Sequence, residues 1–344
     1  MIDTWQQTHF ARHANPKVLY DGADTSFLYH NVQSMQYTDY AEGSSDEITI
    51  TLTDQKRDWL SSWKPEKGHE LDCYFDVYNW NKFETLEFFH CGTFVLDDLS
   101  LSGPDHSITL KGVSQPAGTA FKETRISKNW KKITLKQIAQ ELMAKYNMTN
   151  LYFHGDETVI EEIEQDDQTD ADFLSTVCEK YGYSLKIYKV GFVIYKKEIY
   201  EANEAVRTFT SEAEWENWEW NTTLTGTYTG ARVTYTQPVK GDKDKDIDVL
   251  VGTEERLLTI NERVDSEAEA IQVGKSRVNK ENEKIITLSF TTMFDPRLIA
   301  SQNIEVKIGE ERIDGKYFMT KVQSKLDSNG LKMAVNAYKI VGRI

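Results

Sequence analysis

The chain has 344 residues, 39% of them hydrophobic, and a net charge of −15. That supports two or three cored domains at ~100–200 residues each, and it excludes affinity for a nucleic-acid backbone, which needs clustered Lys and Arg, while suiting a surface past which DNA slides without sticking. Cys73, Cys91 and Cys178 form no CxxC pair, so neither a disulfide framework nor a zinc site is expected and a reducing compartment fits; the start lacks a secretory leader and no run approaches the ~20 apolar residues of a membrane span.

The first ~115 residues read as short strands between turn residues, the pattern of a sandwich or barrel. Over 47–53, Ile48, Ile50 and Leu52 alternate with Thr49, Thr51 and Thr53, giving one apolar and one polar, β-branched face. Further strands are predicted over 71–77, 93–101 and 107–113, with Ser102-Gly103-Pro104-Asp105 as the turn between the last two. Near Trp130 the pattern changes: Thr134 and Gln137 make a T-x-x-Q capping box, and Leu135, Ile138, Ala139, Leu142, Met143 and Tyr146 follow at helical spacing. A second helix is predicted over 170–181, burying Phe173, Leu174, Val177, Cys178 and Tyr181, with Gly182 at its left-handed cap. A hairpin follows over 183–188 and 192–196. Helix, acidic linker, helix and hairpin form an insert of about 70 residues, near the lower size for a self-supporting domain.

From about Phe209 the β pattern returns, broken by one helix that starts at the Ser266-x-x-Glu269 capping box. The last strands are predicted over 303–308, 317–326 and 331–338, with Asp327-Ser328-Asn329-Gly330 as the final turn. The two β-rich ends share a grammar. Gly92-Thr93-Phe94-Val95-Leu96 and Gly315-Lys316-Tyr317-Phe318-Met319 each open a long strand that returns through a polar turn, to Ile108-Thr109-Leu110 and to Met333-Ala334-Val335, as a duplicated domain would.

Five motifs in order resemble the late control protein D family, baseplate hub proteins of contractile phage tails and phage-tail-like particles. Ser45 to Ile50 with Asp54, Pro65 and Gly68 is similar to its first strand and turn, and Cys91 to Asp98 to its G-x-F-x-L-D-D strand. Trp130 with Thr134 to Ile138 resembles its W-x-x-x-T-L-x-x-I helix start, and Gln168 to Leu174 with Tyr181-Gly182 its Q-x-x-x-D-F-L … Y-G helix. Asp295 to Ala300 followed by Asp314 to Tyr317 resembles its D-P-x-L-x-x-G … G-x-Y signature, with Ser301 near the place of the usual Gly. The sequence stops at Ile344, just after its last strand, without the appended spike, lysozyme or peptidase domain of some relatives.

The resemblance implies a mainly β chain with an α+β insert: a first tube-like antiparallel β-barrel over 1–118, a small helix-helix-hairpin domain over 119–204, and a second tube-like barrel with one helix over 205–344. It further implies a homotrimer presenting six barrels around a channel. Implied partners are the tail tube protein, a spike or tail-tip protein, the tape-measure protein and baseplate wedge proteins, in a virion or tail-like particle assembled in the bacterial cytoplasm. No enzyme activity, cofactor or metal is expected.

Several constellations invite chemistry and are outweighed by simpler roles. Asp242, Asp244, Asp246 and Asp248 alternate with Lys243 and Lys245, but Ile247 and Thr253 stand where a calcium loop needs Gly and Glu, so a solvated hairpin tip is expected. Glu161, Glu162, Glu164, Asp166 and Asp167 include no pair that a flexible acidic linker would hold at a glycosidase distance. Cys178, with a histidine such as His154 as the conceivable base, sits on an apolar helix stripe where thiols are inert. Ser61-Ser62-Trp63-Lys64 matches S-x-x-K without the companion motifs. Trp215, Trp218 and Trp220 fit an interface better than a sugar platform, although the insert loosely resembles sugar-binding modules and keeps a cell-wall-binding or peptidoglycan-degrading tail protein as the alternative. A hexameric tube or tail-assembly protein is the third reading.

Overall fold

The computed structural model describes residues 11–25, 31–54, 65–104, 106–114, 120–237 and 245–344. The amino-terminal strands are β1 (His13–Tyr20), β2 (Ala23–Asp24), β3 (Val32–Tyr40), β4 (Glu47–Thr53), β5 (Glu70–Tyr78), β6 (Leu86–Ser102) and β7 (Ser107–Val113). Alternation decides the buried face: Ile48, Ile50 and Leu52 of β4 and Leu71, Cys73, Phe75 and Val77 of β5 all lie in the core. The strand expected over 93–101 begins seven residues earlier, at Leu86. Its first part pairs with β5 and its second with β7, and register shifts at both pairings let one bent strand serve two neighbours.

The insert holds α1 (Ala120–Glu123), β8 (Arg125–Thr134), α2 (Leu135–Lys145), β9 (Asn150–His154), β10 (Val159–Thr169), α3 (Asp170–Lys180), β11 (Tyr183–Tyr188), β12 (Gly191–Lys196) and α4 (Lys197–Glu201). The predicted capping box is formed: Thr134 Oγ1 accepts from Gln137 N, and Gln137 Oε1 accepts from Thr134 N. Trp130 stacks on Phe173 with ring centroids 5.7 Å apart, so the two helix motifs meet in one core. The acidic stretch is a correction. It is not a linker but strand β10, paired antiparallel with β8, because Ile160, Ile163 and Gln165 give it an inward face while Glu162 meets Lys131 of β8 across the ladder.

The carboxy-terminal part comprises β13 (Ala205–Phe209), β14 (Asn217–Thr222), β15 (Gly230–Gln237), β16 (Lys245–Gly252), β17 (Leu257–Asn261), α5 (Glu267–Asn282), β18 (Ile286–Met293), β19 (Asn303–Val306), β20 (Gly315–Asp327) and β21 (Gly330–Lys339). Strands β15 to β17 form a separate three-stranded sheet covered by α5, with its own small core around Val233, Ile247 and Val273.

The two β-rich ends, expected as separate barrels, share one thirteen-stranded sheet in the order β14-β18-β21-β20-β3-β4-β7-β6-β5-β1-β2, with β19 on β20 and β13 on β19. Among the described residues no ladder closes either end on itself. The reason lies in β20: Gly315 to Phe318 pair with β19, and beyond a register shift around Thr320 the same edge pairs with β3 from Lys321–Tyr40 to Leu326–Met35. The ends also share a core. Phe294 packs on Phe89, Trp80 and Phe75 with centroids 5.1, 5.8 and 6.1 Å away, and its carbonyl accepts a 2.7 Å hydrogen bond from Trp80 Nε1.

Gly92 and Gly315, paired by the sequence comparison, have φ of +133° and +143°, conformations L side chains rarely adopt. A shared backbone requirement therefore underlies the repeated glycine.

Candidate functional site at the insert seam

Where α3, β11, β12 and α4 of the insert meet the 41–43 turn after β3, helix α5 and the carboxyl end, they line a cleft of about 750 Å³. Its walls carry a network of ion pairs. Glu42 accepts from Ser184 Oγ and Lys197 Nζ, each at 2.5 Å, and from Lys280 Nζ; Lys197 also reaches Glu283 at 2.6 Å. Burial alone would push the Glu42 carboxyl up, but the ammoniums of Lys197 and Lys280 outweigh it and hold it at about 2. Beside this square, Glu201 takes two bonds from Arg343, at 2.6 and 2.7 Å, and one of 2.5 Å from the Tyr338 hydroxyl. Asn303 Nδ2 ties β19 to the end of α4 through the carbonyls of Tyr200 and Asn203, at 2.7 and 2.8 Å.

A second cluster lies nearby. Lys186 of β11 donates to Asp39 of β3 at 2.6 Å and stands 3.5 Å from Asp46, with all three buried. Tyr195, fully buried, shares 2.8 Å hydrogen bonds with the Ala41 carbonyl and Ser301 Oγ. On the other flank Lys180 of α3 and the capping Tyr181 hold Glu269 of α5 at 3.0 and 2.6 Å. The insert is thus joined to both its neighbours by charge-assisted hydrogen bonds, which are about twice as strong as neutral ones. Such groups fix geometry.

Ser301 has φ +70°, where a non-glycine residue costs about 1–3 kcal/mol. Its hydroxyl bond to Tyr195 offsets that cost. Ser301→Gly is expected to leave the urea midpoint nearly unchanged, whereas Ser301→Val, which keeps the strain, loses the hydroxyl and adds a β-branch, should lower stability by about 2–3 kcal/mol in equilibrium unfolding.

The sequence candidates separate cleanly. Asp242, Lys243 and Asp244, and Ser61 to Lys64, lie outside the described residues. Asp246 accepts from Thr236 Oγ1 at 2.8 Å, and Asp248 binds Arg232 through two bonds of 2.8 and 2.7 Å, so both serve cross-strand pairs on β16. Among the described residues no cluster of His, Cys, Asp and Glu is placed to hold a metal ion. Glu162 accepts from Asn129, Lys131 and Arg263, and these bonds hold its carboxyl at about 2, the reverse of a catalytic acid. Cys178 is buried in the insert core, and burial followed by the Glu42 charge pushes its thiol up; His154 instead shares a 2.8 Å bond with Tyr200 Oη.

The tryptophans divide. Trp215 is a core residue stacked on Phe290 at 5.0 Å, Trp220 is half-buried against the same core, and Trp218 is 41% exposed on edge strand β14. The acidic partners of Lys186 were missed by sequence reasoning. The one available signal is a lysine inside the Tyr-Ser-Leu-Lys-Ile-Tyr strand, both of whose faces are covered.

No family model and no curated protein sequence matches the chain. Solved structures do. The 43 kDa tail protein of prophage MuSo2 from Shewanella oneidensis matches with a TM-score of 0.71 at 14% identity, over 95% of this chain and 98% of its own. The tail protein from Neisseria meningitidis MC58 matches at 0.69 and 12% identity, over 95% and 97%. An E. coli component of the type VI secretion system, described as structurally similar to T4 bacteriophage tail proteins, matches at 0.56 and 12% identity, over 91% and 74%. The chain shares its fold with these tail proteins along nearly its whole length.

Proposed function

We propose that the chain is a structural baseplate hub subunit of the late control protein D type: a trimer forming a pseudo-six-fold ring between a hexameric tail tube and a trimeric spike, in a contractile tail or tail-like particle. The observation that carries this reading is the repeated unit. Each end of the chain has a long bent strand, β6 or β20, with a positive-φ glycine and a returning partner strand, and β3 and β20 fuse the two into one sheet. Two similar units per chain let three chains present six lobes, which matches a six-fold tube on one side and a three-fold spike on the other. The shared fold with prophage tail proteins supports the same role.

On this reading the partners are tube, spike or tail-tip, tape-measure and wedge proteins. The chain does its work through binding geometry and catalyses nothing. The acidic surface then lets DNA pass without adhering. Native mass spectrometry of the full chain should give three copies, and negative-stain images should show a ring of six lobes. A monomer at micromolar concentration, or six copies per ring, would overturn the hub assignment; lysis or binding of purified peptidoglycan would favour the cell-wall alternative.

A further inference from the structure

Lys186, Asp39 and Asp46 are 8%, 5% and 4% exposed, and they meet where β11 of the insert lies on β3 and the start of β4. Each carboxyl group already has a backbone donor: Ala300 N–H reaches Asp39 Oδ2 at 2.8 Å, and Tyr40 N–H reaches Asp46 Oδ1 at 3.1 Å. The other groups facing the cluster are the phenols of Tyr188 on β11, Tyr195 on β12, Tyr200 on α4, and Tyr37 and Tyr40 on β3, with the Cys91 thiol of β6 behind Tyr37. Burial first, and the carboxylates second, push Tyr37 and Tyr188 up. Burial pushes Tyr195, Tyr200, Tyr40 and Cys91 up likewise, so all six groups are neutral near physiological pH. Lys186 stays protonated, because the two carboxylates more than reverse the effect of its burial.

The count leaves one ammonium for two buried carboxyl groups. A second buried negative charge without a partner costs several kcal/mol, and holding one proton removes it. We infer that Lys186, Asp39 and Asp46 form a proton-operated latch between insert and sheet: with a proton on Asp46 the cluster is neutral and β11 is clamped to β3, and release of that proton to solvent loosens the contact.

The titration agrees in direction. Burial pushes the Asp46 carboxyl up to about 7, the like charge of Asp39 adding to this and Lys186 opposing it. Between an unfolded value of about 4 and that folded value, the closed state holds a proton that the open state lacks. The stabilisation is therefore complete below about pH 4 and is lost as the pH rises through about 7. Glu42, held at about 2 by Lys197 and Lys280, stays ionised across this window, so the neighbouring ion pairs keep the rest of the insert seated while the latch opens.

Hydrogen exchange of the full chain, followed by mass spectrometry and corrected for intrinsic amide chemistry, tests this. Opening of β11 should become about 10-fold more frequent between pH 6 and pH 8.5, with the rise at up to about tenfold per pH unit below 7 and a plateau above it, where closed and open states have both lost the proton, while β21 shows no change. Asp46→Asn, which keeps an acceptor for Tyr40 N–H, should abolish the pH dependence. An equal response in β21, a flat wild-type profile, or a response that persists in Asp46→Asn would overturn the latch. The carboxyl carbon of Asp46, followed by NMR in ¹³C-aspartate-labelled wild-type protein, decides the matter without any variant: a midpoint near 7 supports the latch and one near 4 overturns it.

Discussion

Lys186→Met is expected to lower the unfolding free energy by about 3–5 kcal/mol, the cost of leaving a buried acidic partner without its cation. The methionine fills the space of the lysine stem, so little of the loss comes from packing. What remains is Asp39 and Asp46 with two backbone donors and no positive charge. Adding Asp39→Asn and Asp46→Asn should return most of the stability, because amides keep acceptors for Ala300 and Tyr40 without charge. Urea unfolding of the single and triple variants at pH 6 measures both. If the single variant loses under 1 kcal/mol, or the triple is no better than the single, the cluster does not anchor the insert.

Phe294→Ala is expected to cost about 3–5 kcal/mol by removing a buried aromatic and leaving a cavity. Phe294 is 3% exposed and follows β18, yet its ring neighbours Phe75, Trp80 and Phe89 all come from the amino-terminal end. The informative part is the shape of the transition. Because the two ends share one core, fluorescence and far-UV circular dichroism should report a single lowered midpoint rather than selective loss of the carboxy-terminal strands. Two separated transitions in the variant would show that the ends are energetically independent.

How much was legible in the sequence depended on whether a segment's signal is local. The Thr134–Gln137 capping box, the alternation in β4 and the Asp327 to Gly330 turn are written within a few residues, and the structure has them where the spacing puts them. Strand β10 was hidden because its acids outnumber its apolar residues. In a two-stranded ribbon one thin inward row suffices, and outward charges are answered by Lys131 and Arg125 of β8, which pair with Glu162 and Asp167. Fusion of the two ends into one sheet was not legible, since it depends on the length of β20 edge left free beyond the short β19. The seam was invisible for a related reason: Lys186 and Asp39 are 147 positions apart, and a lysine in a strand ordinarily faces water.

The β3–β20 ladder also bears on synthesis. Thr38 and Gln323 face each other across it, 285 positions apart in the chain. At about 5–20 residues added per second, β3 leaves the ribosome many seconds before β20 exists. Throughout that interval β3 presents a bare edge able to template pairing with other nascent chains. Yield in the cell should therefore depend on elongation rate and on chaperones that shield β3, more than on the stability of the finished protein.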